Sequence, residues 1–139
     1  MRKGAVKIKN LSFDLPIEPR TKKNSVRLIH VGERTIPIAS KAYQDFEKDC
    51  LKIIPGTVRQ AIAEPVNIKA VFYMRTKRRV DLTNLLEAVD DMLVKAGVLA
   101  DDNRDIVAGH DGSRVHFDKD NPRIEIDITS ETNYTQWKK

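Results

Sequence analysis

The sequence predicts an α+β fold, a single domain in which a mixed β-sheet carries two main helices packed on it. Two observations lead there. Val66, Ile68, Ala70, Phe72 and Met74, and later Ile124, Ile126 and Ile128, alternate with the period of two that marks a half-buried strand. Residues 40–54 and 83–96 instead space their apolar side chains three and four apart, as a helix does. The two kinds of segment follow one another in the order β-β-β-α-β-α-β-β, with neither internal repeat nor low-complexity tract. At 139 residues the chain has the length of one domain, with its core over about 5–130 and a polar tail at 131–139 that is expected to fray.

Each element has its own signal. Ala5 to Leu15 alternates as a strand, with Val6, Ile8, Leu11 and Phe13 inward across a slip near Asn10. Pro16–Asn24 is a basic loop bounded by Pro16 and Pro19. Val26–Val31 and Arg34–Ile38 form a hairpin through Gly32-Glu33. Ser40 N-caps a helix whose stripe is Ala42, Tyr43, Phe46, Cys50, Ile53 and Ile54, and Pro55-Gly56 stops it. Cys50 falls on that stripe and is expected in the core. The strand Val66–Met74 runs into the basic loop Arg75-Thr76-Lys77-Arg78-Arg79. A second helix begins near Thr83, buries Leu85, Leu86, Val89, Met92, Leu93 and Ala96, and ends at Gly97. Strands at Ile106–Phe117 and Arg123–Thr129 follow, separated by the turn Asp118–Pro122.

Composition narrows the classes of function. With 40% hydrophobic and 32% charged residues the chain reads as an ordinary soluble protein, and no apolar run reaches the roughly 18–20 residues of a bilayer span. Met1–Lys7 is charged but lacks the apolar stretch of a secretory signal. One cysteine forms no intramolecular disulfide, which fits a cytoplasmic protein. Net charge is +5, unevenly spread. Residues 1–80 carry 18 Lys/Arg against 7 Asp/Glu, and residues 81–127 carry 5 against 12. A basic half suits a polyphosphate partner. An acidic segment beside it would repel that partner unless a cation sat on it, although a solvated surface of uneven charge fits the same numbers.

The residues suited to chemistry lie between Arg75 and Asp102. A basic loop delivers Asp81 to the start of a helix, and the connection after Gly97 delivers Asp101, Asp102 and Asn103. Oxygen ligands without cysteine or histidine favour Mg²⁺ or Mn²⁺ over zinc. Such an ion polarises a scissile phosphate and activates water. Glu87, one turn into the helix, is a further candidate, while Asp90, Asp91 and Lys95 read as a solvated helix face. Asp81 also suits an N-cap, and Asp101-Asp102-Asn103 a polar turn. His30, His110 and His116 read as structural or exposed. No Ser-His-Asp set, Cys-His set or phosphate-binding glycine loop is present in the sequence.

The stretches Arg78-Arg79-Val80-Asp81-Leu82-Thr83-Asn84-Leu85 and Lys95-Ala96-Gly97-Val98-Leu99-Ala100-Asp101-Asp102 resemble the RusA family of Holliday-junction resolvases. Its pattern is a basic loop, D-L-D-N-L at a helix start, then K-A-G followed by D-D. Pro16–Asn24 is similar to the family's N-terminal region. The resemblance implies a homodimer that binds four-way junction DNA and nicks opposing strands with Mg²⁺. It places Asp81, Asp101 and Asp102 as catalytic metal ligands. The same likeness adds Lys22, Lys23 and Asn24 to Arg75, Lys77, Arg78 and Arg79 as DNA contacts. Two positions depart from the pattern. Thr83 replaces the second aspartate of D-L-D-N-L, and Glu87 stands where one branch of the family has a functional lysine. Glu87 is therefore expected to supply the missing carboxylate, with the Thr83 hydroxyl near the ion's water. The rival readings are a non-catalytic junction or nucleic-acid-binding module that has lost its complete metal site, and a protein-interaction domain with an acidic face.

Overall fold

The computed structural model describes residues 10–22 and 26–131. Along them run β1 (Leu11–Leu15), β2 (Val26–Val31), β3 (Arg34–Ala39), α1 (Lys41–Ile53), β4 (Val66–Met74), α2 (Leu82–Lys95), β5 (Val107–Gly109), β6 (Arg114–Phe117) and β7 (Arg123–Ser130). The α+β class and the order of elements agree with the sequence expectation. Val6, Ile8 and the tail beyond Glu131 lie outside the described residues.

Alternation places β4 at the centre of the sheet. Val66, Ile68, Ala70 and Phe72 are fully buried on one face, and β7 pairs antiparallel along nearly the whole strand, from Val66↔Ser130 to Tyr73↔Arg123. β1 joins the far edge of β7 antiparallel, with Leu11 opposite Ile128 and Leu15 opposite Ile124. The other edge of β4 is parallel, so the sheet is mixed. β2 and β3 pair only with each other, through Gly32-Glu33. Gly32 has φ +63°, the left-handed value that a II′ hairpin needs at its first central residue.

The expected strand Ile106–Phe117 is two strands. β5 pairs with the start of β4 and β6 with its end, and residues 110–113 turn away between them. Side chains replace the missing ladder there. The Asn67 amide donates to the Asp111 carbonyl (3.1 Å) and accepts from the Asp111 amide (2.7 Å). The Ala70 N–H donates to the buried Ser113 hydroxyl at 3.0 Å. Gly112 closes the turn at φ +89°, where an added Cβ would meet the Lys69 side chain at 3.2 Å. These bonds satisfy backbone groups that burial would otherwise leave unpaired.

Both helices start and stop for local reasons. The Ser40 hydroxyl accepts from the Tyr43 N–H at 3.2 Å and caps α1. Tyr43, Phe46 and Cys50 are buried, but Ala42 and Ile53 are exposed, so the stripe is narrower than its spacing predicts. Burial pushes the free Cys50 thiol up to about 12, with Asp49 and Glu47 adding to it, which leaves it inert as a nucleophile. α2 ends in a Schellman motif: Gly97 N–H donates to the Val94 carbonyl, Val98 N–H to that of Leu93, and Gly97 sits at φ +79°. The chain just before β4 then pairs with this end, Ala61 N–H donating to the Gly97 carbonyl and Ile62 N–H to that of Val98.

Arg59 ties the two helix ends together. Its guanidinium donates to the carbonyls of Leu51 and Ile54 at the end of α1 and to that of Ala96 at the end of α2. A cation at two carbonyl ends also complements both helix dipoles. Helices and sheet thus share one core that includes Leu15, Phe46, Phe72, Leu93 and Ile126. Arg59→Ala is expected to destabilise the fold by about 2 kcal/mol in urea unfolding, because charged donors leave several carbonyls at once.

Candidate active site

The burial of α2 turns its polar side toward two neighbouring cavities. One, of about 280 Å³, is lined by Thr83, Leu86, Glu87, Asp90, Asp102 and His110. The other, of about 200 Å³, is lined by Lys22, Tyr43, Glu87, Ala88, Asp91 and Asp102. Glu87 and Asp102 belong to both, so the helix and the connection after it do converge at this pair.

Asp81 occupies the N-cap position of α2, yet its carboxylate caps no helix N–H. It accepts instead from the Asn84 side-chain amide at 3.2 Å and stays exposed. The ordinary reason for an aspartate at this position is therefore absent. Asp101 orders the turn that follows α2: one oxygen accepts from the Asp102 N–H at 2.7 Å, the other from the Asn103 amide at 3.3 Å. Asn103 continues the turn by accepting from the Asp105 N–H at 2.9 Å. That leaves the Asp102 side chain to face the cavities. Burial and then the Asp101 charge hold the Asp102 carboxyl above its ordinary range.

Neither Asp81 nor Asp101 lines the cavities that Glu87 and Asp102 share. Among the described residues, no three Asp, Glu, His or Cys side chains stand close enough together to hold one metal ion. The donor chemistry still suits a hard divalent cation. The four carboxylates supply only oxygen, and the charge crowding felt by Asp102 is what a cation relieves.

Asp90 is not part of a solvated face, whereas the Asp91 side chain remains 42% exposed. Asp90 is half-buried, and both its oxygens lie within hydrogen-bond reach of His110 Nε2, at 3.0 and 2.8 Å. Asp91 lines the second cavity with the Lys95 ammonium 3.3 Å away, and Lys95 also donates to Glu47 at 2.8 Å. Sequence reasoning missed these residues because a polar helical stripe reads as solvated until another element covers it. Glycines on either side of His110-Asp111 were the available signal that the chain turns back there.

Tyr43 reaches the same place from α1. It is 2% exposed and stacks beside Phe46, yet its hydroxyl makes no hydrogen bond among the described residues. Burial, and then the carboxylates of Glu47, Asp91 and Glu87 with the Cys50 thiol, push the phenol pKa well up and keep it protonated.

The basic groups flank this acidic wall. Lys22 enters the second cavity, while Lys23 and Asn24 lie outside the described residues. Arg75, Lys77, Arg78 and Arg79 are all exposed on the loop that leads into Asp81. Arg75 pairs with Glu18 at 3.6 Å, and the Lys77 ammonium stands 5.0 Å from the centroid of the exposed Phe117 ring. Arg78 and Arg79 form no ion pair among the described residues.

Residues 16–129 match the family model described as endodeoxyribonuclease RusA. The chain belongs to the RusA family. The match spans most of the chain and takes in α2, both cavities and the loop before Asp81. No curated protein matches the chain. Membership in RusA makes this the fold of a DNA endonuclease of the junction-resolving class, and no helix among the described residues is long and apolar enough to cross a membrane.

Hydrogen bonding to Asp90 raises the His110 pKa above its ordinary 6.5, against the opposing effect of burial, and the charges of Asp90 and Asp111 add to the rise. A raised histidine stabilises fully below its unfolded value and loses that contribution as pH climbs through the folded one. The stability gap between the native chain and Asp90→Asn should therefore be widest below about pH 6.5 and narrow toward pH 8. Urea unfolding at several pH values checks this, and the His110 ring titration should fall in the variant.

Proposed function

We propose that this chain is a divalent-metal-dependent nuclease that resolves four-way (Holliday) junction DNA by paired nicks, in recombination and repair. Asp81, Asp101, Asp102 and Glu87 are the proposed ligands of the ion, Mg²⁺ or Mn²⁺; Glu87 and Asp102 line shared cavities, and Asp81 and Asp101 would have to move to join them. The observation that carries the reading is the wall shared by Glu87 and Asp102, with Lys22 on one side and the exposed Arg75–Arg79 loop running into an Asp81 that caps nothing. Glu87 lines both cavities together with Asp102, and Thr83 lines one of them, which supports Glu87 standing in for the aspartate that Thr83 replaces. When bound, the ion would polarise the scissile phosphate. The protein's own part is to hold the DNA backbone near the acidic wall with Lys22, Arg75, Lys77, Arg78 and Arg79. Lys23 and Asn24, which the structure leaves undescribed, complete the proposed contact set.

Contacts of this kind bind phosphate and position it, and carry little sequence information. Recognition then rests on the branched shape of the DNA. A homodimer supplies two such sites for symmetric nicks on opposing strands. The residues that would work together lie within about 5–130 of one domain, in a protein expected in the cytoplasm.

The test is nicking of a labelled four-way junction against linear duplex, with Mg²⁺ or with EDTA. Paired nicks in the junction alone, dependent on Mg²⁺ and lost in Asp81→Asn, are expected. Glu87→Gln should weaken Mg²⁺ binding and slow cleavage, and unchanged values would remove Glu87 from the site. Junction binding without cleavage in any metal would favour a binding module that has lost its metal site, with the substitution at Thr83 as its cause. Affinity for the junction should fall at least about 100-fold between roughly 50 and 200 mM salt, and a flat response would count against the basic surface.

A further inference from the structure

The second cavity holds a group that the proposed ligand set does not use. Tyr43 is 98% buried by its 2% exposure, and burial of a hydroxyl without a partner is unfavourable enough that most such groups find one. Its neighbours explain why none is at hand within the fold. Glu47, Asp91 and Glu87 are the carboxylates whose charges act on the phenol, but none accepts a hydrogen bond from it among the described residues. Lys22, Glu87, Asp91 and Asp102 line the same cavity, which at about 200 Å³ has room for several waters. Asp91, on the same cavity, already has the Lys95 ammonium 3.3 Å from its Oδ2, so the Tyr43 phenol is the buried polar group there that lacks a partner among the described residues. Water is the occupant that serves the phenol, since it accepts from the hydroxyl and donates to a carboxylate lining the cavity.

We propose that Tyr43 is a positioning residue for hydrolysis, its hydroxyl donating to the water that attacks the scissile phosphate from the Glu87–Asp102 wall. The inference rests on the nuclease reading. In the step itself the water oxygen forms the new bond to phosphorus, and its proton passes to the carboxylates lining the cavity. The bond from phosphorus to the leaving sugar oxygen breaks, and that oxygen takes a proton from solvent. Tyr43 gives up no proton. It fixes the direction of the water's lone pair, and Lys22 offsets negative charge as the phosphate enters.

Tyr43→Phe removes the hydroxyl and keeps the ring beside Phe46. Single-turnover cleavage of a four-way junction in Mg²⁺ should slow on the order of 100-fold, as when a reacting group is misplaced by about 1 Å. Junction affinity should remain that of the native chain. The melting temperature should stay equal or rise, because the hydroxyl has no partner among the described residues to lose. A purely structural tyrosine would show the reverse, with lower stability and an unchanged rate. Cleavage at the native rate in Tyr43→Phe overturns the proposal while leaving the nuclease reading intact. A fall in melting temperature or failure to fold overturns it too, by showing that the hydroxyl has a structural partner. A loss of rate matched by lost junction affinity assigns Tyr43 to binding and overturns it. Absence of cleavage by the native chain in any divalent metal removes the nuclease reading and this inference together.

Discussion

The rotation of α2 about its own axis decides what the acidic wall contains. Leu85, Leu86, Val89, Met92 and Leu93 are all buried, and at about 100° per residue they occupy one side of the helix. Glu87 then points almost directly away from the core. Thr83 and Asp90 fall to one side of it, and Ala88 and Asp91 to the other. The turn carrying His110 covers the first flank, and Tyr43 of α1 covers the second. Glu87 borders both spaces for this reason alone. A one-residue slip in the packing would turn it away by a quarter of the circle and separate it from Asp102.

That rotation is held by the two helix ends in different ways. The carboxyl end is over-determined, with the Schellman bonds, the pairing of Ala61 and Ile62, and the Arg59 guanidinium all closing on it. The amino end has no side-chain cap. The helix spends its local stabilisation at the end remote from the basic loop and leaves Asp81 able to bond elsewhere. Such an asymmetry is what a ligand-binding terminus needs, since a capping aspartate would have to give up its hydrogen bond before it could reach an ion.

Much of the architecture could be read from the chain because its signals are local. Alternation located β4 and β7, Ser40 and Gly97 marked helix ends, and the apolar spacing of residues 85–93 identified the buried side of α2. The errors have a common origin in contacts distant along the chain. The break between β5 and β6 depends on Asn67 and Ser113, whose side chains bond across some forty residues. Ile53 fits the helical stripe but remains 42% exposed. At the site, the motif picked out three carboxylates and helical position added Glu87; Glu87 and Asp102 line shared cavities while Asp81 and Asp101 stand outside them. Asp90, Asp91 and Tyr43 were invisible as site residues, since a helical wheel shows which side is polar but not what will lie against it.

The order of strands in the sheet has a consequence for how the chain is made. β7 lies between β1 and β4, so Leu11 meets Ile128 across almost the full length of the described chain. During synthesis β1 and β4 emerge early and wait, each with an open edge, until the last strand leaves the ribosome. Pairings of such long range close slowly. Interrupted translation before β7 yields a chain with β1 unpaired and one edge of β4 open, suited to aggregation or proteolysis rather than to persistence as a partial domain.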